Sequence, residues 1–577
     1  MAGVAHSDAS SSDSHGKPSG PRWERLQGTS DRPDFGNCAL STTVICECLV
    51  GAFWGLLEVP FSRDAASPRA PAPTLSGWLA ASAAACPASR HTPASYSARM
   101  SISDPTPSAA DTPPADLPVT LQRLRAAWQS AKPGRAQRRD DLQRLRAALK
   151  RRLPEMAAAI AADFGHRSHH ESLLADGMTV LGEIDHLLRH LTRWMRPQRV
   201  GAGWRLWPAR AEVRPVPVGV VGVIAPWNYP VNLALVPLAT AIAAGNHVYL
   251  KPSEHTPRTA QFLQSLLAEV FPPQRVAVAL GGAEVASAFA ALPLDHLVFT
   301  GSTAVGRKVM AAAAPNLTPL TLELGGKSPA IVCADYPLEQ AAARLATGKW
   351  FNAGQTCIAP DYVLIDAGRE AALVQALRAQ VLARYGDFAD AGDYTRIVSE
   401  GQYRRLRGYL DDARARGLEV IELATVARDR AERERLIVPT VVLQPGDDAL
   451  LMQEEIFGPI LPVRGYRSLD AAIVEINGRD RPLALYPFSH DRARIETILH
   501  ATIAGGVTVN DSLLHFAANA LPFGGIGPSG MGAYHGRAGF DAFSKALPIL
   551  WQSRRAGSDL LKPPYRRIAR VLDLLLR

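Results

Sequence analysis

Three consecutive runs decide the fold of this 577-residue chain: residues 218–225 read VGVVGVIA, residues 231–244 read VNLALVPLATAIAA, and residues 247–251 read HVYLK. The first run is apolar and rich in β-branched residues, as in a strand buried on both faces, and the third run has the length of a short strand. The middle run is long enough for a helix and is apolar on all sides. A strand, a buried helix and a second strand predict two parallel strands joined by a helix.

The same alternation continues along the chain. Val276–Leu280 and Asp295–Thr300 are predicted strands, and a second region of alternating strands and helices runs from Ala330 to about Leu521. Upstream, apolar residues between Leu117 and Met195 recur at three and four positions, which predicts amphipathic helices. The sequence therefore predicts an α/β protein whose parallel sheets are covered by helices on both faces.

The composition is that of an ordinary globular protein, with 47% apolar and 20% charged residues, and the length suits two or three domains. The net charge of +9 is concentrated at the C-terminus, where residues 553–577 carry seven basic and two acidic side chains. Because these residues hold a surplus of five positive charges, acidic and basic side chains are nearly equal in number over the rest of the chain. Because no basic stripe with interleaved aromatic residues occurs, nucleic acid is not an expected partner.

The cysteines indicate a reducing compartment, and we expect a cytoplasmic protein. Four of the six lie before residue 100, and the other two, Cys333 and Cys357, do not make a disulfide framework. We predict no metal site, because no CxxC pair and no histidine cluster with zinc spacing occurs. The run His169, His170, Glu171 is interpreted as a solvated helix face.

Residues 1–115 are predicted to be a disordered extension, since Ser, Ala, Pro and Gly dominate and apolar periodicity is absent. The apolar run Cys48–Leu57 is too short to span a bilayer and lacks the basic flank of a signal peptide. Our hypothesis is that translation starts at Met100 and that residues 1–99 are an over-extended reading frame. A mitochondrial-type presequence is the alternative.

Polar residues and a glycine-rich turn follow the predicted strands. Asn228, Lys251 and Glu254 come after the first two strands, and residues 301–306, GSTAVG, follow the strand that ends at Thr300. Ligands of parallel sheets bind beyond the carboxyl ends of the strands. The glycine segment is not GxGxxG, but a turn from a strand into a helix offers free backbone N–H groups to a pyrophosphate.

Two further residues are candidates for chemistry. Cys357 lies in residues 351–360, FNAGQTCIAP, among small and amide residues, whereas free cysteines are commonly buried and structural. Glu323 lies between leucines just before a double glycine. Burial there would raise its pKa toward the range in which a carboxylate acts as a base near neutral pH.

Six motifs, in order, resemble those of the NAD(P)-dependent aldehyde dehydrogenase superfamily, from about residue 117 to 550. The spacing of 34 positions between Glu323 and Cys357 also resembles that of the family. The motifs are Pro-Trp-Asn at 226–228, Lys-Pro-Ser-Glu at 251–254, Gly-Ser-Thr-Ala-Val-Gly at 301–306, Leu-Glu-Leu-Gly-Gly-Lys at 322–327, Gly-Gln-Thr-Cys at 354–357 and Glu-Glu-Ile-Phe-Gly-Pro at 454–459.

Other segments are similar to the class 3-like branch, which handles fatty and aromatic aldehydes. These are Asn510-Asp511, His515-Phe516, and residues 522–536, which include Pro-Phe-Gly-Gly and Met-Gly-Ala-Tyr-His-Gly. Residues 163–168, Asp-Phe-Gly-His-Arg-Ser, together with residues 189–195 resemble the coniferyl aldehyde dehydrogenase subgroup. The resemblance thus implies coniferyl aldehyde or a related aromatic aldehyde as substrate.

The resemblance implies three catalytic roles. Cys357 attacks the aldehyde as a thiolate and forms a thiohemiacetal. The Asn228 amide and the Cys357 backbone N–H stabilise the oxyanion. Glu323 activates the water that hydrolyses the thioester left after hydride transfer.

The resemblance also implies a cofactor site for NAD, with NADP possible. Lys251 and Glu254 hold the adenosine ribose, and the carboxylate of Glu254 would repel a 2′-phosphate, which favours NAD. Glu455 holds the nicotinamide ribose, with Phe457 packed beside it. The full set of expected cofactor contacts is Trp227, Lys251, Glu254, Gly301, Ser302, Gly306, Glu455 and Phe457.

The implied architecture is aldehyde dehydrogenase-like, with two doubly wound parallel-sheet domains and a small β domain that bridges two subunits of a homodimer. The expected segments are 116–195 and 217–324 for the nucleotide-binding domain, 325–525 for the catalytic domain, 196–216 and 526–552 for the bridging domain, and 553–577 for a basic amphipathic tail. That tail could contact an anionic membrane, giving access to fatty aldehydes, or dock on the partner subunit.

Three alternatives to an aromatic aldehyde dehydrogenase remain at this point. The first is a fatty aldehyde dehydrogenase at a membrane surface. The second is transfer of the thioester to coenzyme A, against which Glu323 argues, because such a branch can dispense with a hydrolytic base. The third is a non-catalytic binding protein of the same fold, which the intact set of Cys357, Glu323 and Asn228 makes improbable.

Overall fold

The structure is a computed structural model, and it describes residues 111–203, 206–386, 388, 392–554, 556 and 562–576. Residues 1–110 hold nearly all of the predicted disordered extension, including the proposed start at Met100. They lie outside the described residues, so both predictions remain open.

Helices form the N-terminal part of the described chain, as the apolar spacing predicts. They are Asp116–Ser130, Arg135–Arg151, Leu153–Phe164, His169–Ser172 and Thr179–Trp194, with a π-helical turn at Leu173–Met178. The later α-helices are Asn232–Ala244, Pro257–Val270, Ala283–Ala290, Thr303–Ala313, Leu338–Trp350, Glu370–Tyr385, Glu400–Ala415, Arg428–Glu434, Leu450–Gln453, Leu469–Asn477, Arg492–Ala501, Gly536–Ala542 and Ala569–Leu575.

The strands alternate with these helices from residue 198 onward. In chain order they are β1 (Gln198–Val200), β2 (Arg210–Pro217), β3 (Val220–Ile224), β4 (His247–Lys251), β5 (Val276–Val278), β6 (His296–Thr300), β7 (Leu320–Glu323), β8 (Pro329–Val332), β9 (Tyr362–Asp366), β10 (Val420–Glu422), β11 (Thr440–Leu443), β12 (Ile460–Tyr466), β13 (Ala484–Phe488), β14 (Gly506–Val507), β15 (Gly530–Met531) and β16 (Ser544–Trp551).

A six-stranded sheet has the order β15-β7-β6-β3-β4-β5. Its strands β3 to β7 are parallel, with Val220 opposite His247 and Val221 opposite His296. The helix Asn232–Ala244 is buried along its whole length, which explains why its sequence is apolar on every side. The three runs that open the sequence therefore form the predicted strand, helix and strand.

A seven-stranded sheet has the order β10-β11-β12-β9-β8-β13-β14, with β10 antiparallel to β11 and the other pairs parallel. The helix Leu338–Trp350 leaves β8 and leads into the segment that carries Cys357. The predicted α/β class with two parallel-sheet regions is confirmed.

A third sheet is small and antiparallel, with the order β1-β2-β16. Its strands fall near the two segments predicted to bridge subunits, 196–216 and 526–552. The second segment does not belong wholly to this small sheet, however. Gly530 and Met531 pair with β7 and extend the six-stranded sheet instead. Gly530 can do this because its φ of 142° and its lack of a Cβ let it approach the Leu322 carbonyl.

The C-terminal tail contains a short helix, as predicted, but it covers only Ala569–Leu575 after a 3₁₀ turn at Tyr565–Arg567. Val571 and Leu574 on it are 54% and 75% exposed. Within the described ranges, the helices are all too short or too polar to cross a membrane.

Candidate active site

Four of the predicted site residues share one edge of the six-stranded sheet. Lys251 and Glu323 are the last residues of β4 and β7, Ser302 lies two residues beyond β6, and Asn228 lies four residues beyond β3. Because β7, β6, β3 and β4 are neighbours and parallel, their carboxyl ends lie side by side. This confirms the placement expected from the pattern of strands and polar residues.

The segment before Cys357 has an unusual backbone. Asn352, Ala353 and Gly354 all have positive φ, at 54°, 52° and 74°. The Gln355 side chain holds this turn, since its amide nitrogen donates to the carbonyls of Asn352 and Arg396, both at 3.0 Å. Left-handed backbone at residues other than glycine is costly and is typical of functional sites that the surrounding structure holds in place.

Asn228 connects the sheet edge to this cysteine loop. Its side chain is 3% exposed, and its amide nitrogen donates to the Gln355 carbonyl at 3.2 Å. The neighbouring Tyr229 hydroxyl shares a hydrogen bond with the Thr356 hydroxyl. The Asn228 amide is thus fixed two residues from Cys357, where a donor to an oxyanion is required.

The Cys357 thiol is half-buried and is not part of a disulfide. Burial raises its pKa, and the carboxyl groups of Glu455 and Glu323 raise it further, while the backbone N–H groups of Cys357 and Ile358 lower it. These electrostatic neighbours place both glutamates close to the sulfur. Burial and the two carboxyl groups thus disfavour the thiolate, whereas the backbone N–H groups favour it.

Glu323 is 3% exposed, and neither of its carboxylate oxygens has a hydrogen-bond partner within the described part of the chain. Burial raises the pKa of its carboxyl group well above the usual value. A buried carboxyl without partners is costly to keep in a fold. Its position at the end of β7, near the thiol, suits a base that takes a proton from water.

Glu455 lies against the double glycine that follows β7, and a Cβ at Gly325 would collide with its carboxylate. Burial, and next the charge of Asp361, raise the pKa of Glu455 to about 8, while the Gly326 N–H lowers it. Phe457 has a φ of 50°, and its ring lies 5.3 Å from the Trp227 ring, edge to face. Of these groups, Glu455 is the one whose charge acts on the Cys357 thiol.

A second group of residues forms a cradle that fits a dinucleotide. Lys251 and Glu254 are ion-paired at 2.6 Å. Ser302 is exposed and caps the 11-residue helix Thr303–Ala313, its side chain accepting from the Val305 N–H at 3.4 Å. A Cβ at Gly306 would lie 2.6 Å from Leu324, so glycine lets this helix lie close to the sheet. The exposed first turn suits a pyrophosphate, and the carboxylate of Glu254 suits ribose hydroxyls.

A cavity of about 200 Å³ opens beside the helix Asn232–Ala244, one turn beyond Asn228. Six of the side chains that line it combine apolar and polar groups and come from three distant parts of the chain. They are Met178, Thr179, Glu183, Asn232, Phe516 and His535. The cavity thus lies between the helix Asn232–Ala244 and the segment around Phe516 and His535.

Four residues of the site were not identified from the sequence: Arg167, Glu171, Asp176 and Asn352. The interpretation of Glu171 as part of a solvated helix face is wrong, because its side chain is buried and bonds Asn352. His169 and His170 are exposed, as expected. Over the ranges that the structure covers, no three His, Cys, Asp or Glu side chains are grouped to hold a metal ion.

The fold, with polar residues and a glycine turn at its strand ends and with Cys357 and the buried Glu323 nearby, is typical of an α/β enzyme that binds a dinucleotide. A sequence profile described as "Aldehyde dehydrogenase family" matches residues 120–547. The chain therefore belongs to the aldehyde dehydrogenase family, and it is an NAD(P)-dependent aldehyde dehydrogenase. The alternative of a non-catalytic binding protein is set aside.

Relatives and solved structures agree with this membership. The chain is 47% identical to "Probable coniferyl aldehyde dehydrogenase" of Pseudomonas aeruginosa, covering 78% of this chain and 94% of the relative. It is 44% identical to "Coniferyl aldehyde dehydrogenase" of Pseudomonas sp., covering 80% of this chain and 96% of the relative.

Among solved structures, the substrate-bound Staphylococcus aureus AldH is 36% identical, with a TM-score of 0.76 over 80% of this chain and 99% of that one. A betaine aldehyde dehydrogenase of Staphylococcus aureus in complex with NAD+ is 27% identical, with a TM-score of 0.71 over 77% of this chain and 91% of that one.

Proposed function

We propose that this enzyme oxidises coniferyl aldehyde, or a closely related aromatic aldehyde, to the carboxylic acid. The observation that carries the proposal is the identity of 44% to 47% with two coniferyl aldehyde dehydrogenases over more than nine-tenths of their length. The cavity beside Asn232 supports it, since Phe516 in its lining is an aromatic residue that can pack against a planar ring.

The chemistry begins at Cys357. Its thiolate attacks the carbonyl carbon, and the carbonyl oxygen becomes an oxyanion in the thiohemiacetal. The Asn228 amide and the Cys357 backbone N–H donate to that oxygen. Removing one such donor typically lowers kcat about a hundred- to a thousandfold.

The nicotinamide that Glu455, Phe457 and Trp227 would hold would supply the hydride acceptor that converts the thiohemiacetal into a thioester on Cys357. Glu323 takes a proton from water, which attacks the thioester and releases the acid together with the Cys357 thiolate. The buried position of Glu323 and its raised pKa support this role. They also favour hydrolysis over transfer to coenzyme A.

For the cofactor we propose a preference for NAD, with NADP accepted. Glu254 pairs with Lys251 at 2.6 Å and is partly exposed, so it presents a carboxylate to the adenosine ribose. A 2′-phosphate at that point would meet a negative charge. Ser302 and the glycines Gly301 and Gly306 would face the pyrophosphate, and Glu455, Phe457 and Trp227 would surround the nicotinamide ribose.

We also infer a homodimer through the three-stranded sheet, with the nucleotide-binding, catalytic and bridging segments divided as the sequence predicts except that Gly530 and Met531 belong to the six-stranded sheet. Strand β16 lies at the sheet edge and exposes Leu550 and Trp551, by 48% and 55%. Exposed apolar side chains on an edge strand are costly in a monomer, and pairing with a second copy would cover them.

A fatty aldehyde substrate at a membrane surface is the second candidate. The observation that favours it is the exposure of Leu574 and Leu576 in the basic tail, by 75% and 83%.

The test is to follow reduction of NAD and of NADP with coniferyl aldehyde, hexanal and decanal in parallel, using Cys357→Ala as the control. We expect the highest kcat/KM with coniferyl aldehyde and NAD, and no turnover by Cys357→Ala. A clear preference for decanal would move the assignment to fatty aldehydes. Absence of Cys357-dependent turnover with all three would refute the proposed function.

A further inference from the structure

The segment from Arg167 to Asp176 carries three buried charged side chains, and none of them touches the reacting atoms assigned above. Arg167 is 1% exposed, Glu171 is 9% exposed and Asp176 is fully buried. Charged side chains are almost never buried to this extent unless they are paired and hydrogen-bonded. Their partners therefore indicate why the fold retains them.

Arg167 and Asp176 together hold the loop that carries Asn228. The Asp176 carboxylate accepts from the backbone N–H groups of Val231 and Asn232, both at 3.0 Å. The Arg167 guanidinium donates to the Asn228 carbonyl at 3.1 Å. An ion pair of 3.3 Å between the two side chains joins these contacts, so one buried pair fixes both ends of residues 228–232.

Aromatic rings restrict the guanidinium further. Its central carbon lies 5.0 Å from the centre of the Tyr229 ring and 5.3 Å from that of Phe164. Tyr229 itself bonds Thr356 next to the nucleophile. A cation held between two rings and a carboxylate has little freedom to move, and the loop it bonds is fixed with it.

Glu171 holds the loop from Asn352 to Cys357 in place in a similar way. One carboxylate oxygen accepts from the Asn352 N–H at 3.2 Å and the other from the Thr395 hydroxyl. The Asn352 side chain in turn donates to the carbonyls of Asn228, at 3.0 Å, and Gln355, at 3.1 Å. Both loops of the site are thus attached to one short segment.

We propose that the Arg167–Asp176 ion pair is a positioning device that sets the Asn228 amide relative to Cys357, while Glu171 sets the opposing loop. This inference rests on the proposed role of Asn228 as an oxyanion donor. A donor acts on the transition state only at the correct distance and angle, and a misplacement of about 1 Å costs about a hundredfold in rate. Loss of the pair should therefore lower kcat much more than it changes KM.

The experiment is a double-mutant cycle on kcat between Arg167→Met and Asn228→Ala, measured at saturating aldehyde and cofactor on protein of verified folding. We expect Arg167→Met alone to lower kcat about ten- to a hundredfold. In the Asn228→Ala background the same change should lower kcat less than about threefold, because the donor it positions is gone. Arg167→Lys should restore part of the loss, since it keeps the charge beside Asp176.

Arg275→Met is the matched control. Arg275 is also buried and forms an ion pair with Asp141 at 2.9 Å, but it bonds the Asn246 carbonyl at the amino ends of the strands, away from the site. Its effect on kcat should be small and additive with Asn228→Ala. If Arg167→Met fails to fold, Asp176→Asn and Arg167→Lys complete the cycle in its place.

Equal losses from Arg167→Met in the wild-type and Asn228→Ala backgrounds would overturn the inference, because they would indicate a general effect on stability. The Asn228→Ala variant alone tests the proposed function rather than the positioning role. If Asn228→Ala alone leaves kcat unchanged, the oxyanion role of Asn228 is wrong, and the positioning role fails with it.

Discussion

At the scale of single residues, the two groups proposed to react, the Glu323 carboxyl and the Cys357 thiol, lie in surroundings that disfavour their charged forms. Glu323 is buried without a hydrogen-bond partner among the described residues, and the Cys357 thiol lies close to two carboxyl groups. Both features raise a pKa, and both are costly to stability. Such groups persist where the chemistry needs them, which agrees with the roles proposed for Cys357 in attack on the aldehyde and for Glu323 in hydrolysis of the thioester.

Replacement of Glu323 by Gln should remove the cost in stability of burying the carboxyl group and, as a separate effect, lower the activity. The folded protein keeps a proton on the buried carboxyl that the unfolded chain releases, since the pKa of Glu323 is raised by burial. The stability linked to that proton is complete below the pKa of the unfolded chain and is lost as the pH rises through the folded pKa. The Tm of Glu323→Gln should therefore rise relative to that of the wild type as the pH increases from about 5 to about 9.

Scanning calorimetry over this pH range is the measurement, with Glu284→Gln on an exposed helix position as the control. The control should show a Tm difference that does not change with pH. If the Tm difference between Glu323→Gln and the wild type also did not change with pH, the carboxyl group of Glu323 would not be desolvated. The same variant should lose about a hundredfold or more in kcat.

At the scale of elements, the strands and helices were predictable and the cysteine loop was not. The apolar runs of β3, β4 and β6, and the polar residues at their ends, carry a signal that depends only on local sequence. The loop has three successive residues with positive φ, of which Gly354 and, less strongly, Asn352 indicate such a backbone from the sequence, whereas Ala353 does not. Asn352 and Ala353 adopt it because Gln355 and Glu171 hold the turn from both sides.

Gly354→Ala should test how closely this loop is fixed. The φ of 74° disfavours a side chain, and an added Cβ would collide with the Gly458 carbonyl beside Phe457. We expect a destabilisation of more than about 1 kcal/mol and a lower kcat, because the loop must shift the thiol away from Asn228.

Urea unfolding and steady-state kinetics check this expectation, with Gly408→Ala as the control. Gly408 lies within the helix Glu400–Ala415, where no atom lies within 4 Å of an added Cβ, so alanine there should be neutral or stabilising. Wild-type kcat in Gly354→Ala would show that the loop tolerates a different backbone.

At the scale of the whole molecule, the residues that were missed are those whose partners are far away in sequence. Glu171 bonds Asn352 across 181 positions and Thr395 across 224. Arg167 and Asp176 act on a loop more than 50 residues away. Local periodicity and motif spacing report neither burial nor such contacts. The residues at strand ends were found because parallel topology brings them together without knowledge of side-chain packing.

The architecture also places the proposed nucleophile beside the proposed cofactor site. The six-stranded sheet carries the strand-end residues and Glu323 at one edge, and the helix that follows β8 leads into the segment with Cys357.

The most direct test of the account is intact-mass spectrometry of Glu323→Gln after mixing with coniferyl aldehyde and NAD+. Hydrolysis of the thioester requires the base, so the variant should accumulate one covalent acyl group, mapped by peptide digestion to Cys357. The double variant Cys357→Ala, Glu323→Gln should carry none. If the wild type turns over coniferyl aldehyde while Glu323→Gln carries no acyl group, or carries it at another residue, the roles assigned to Cys357 and Glu323 are wrong.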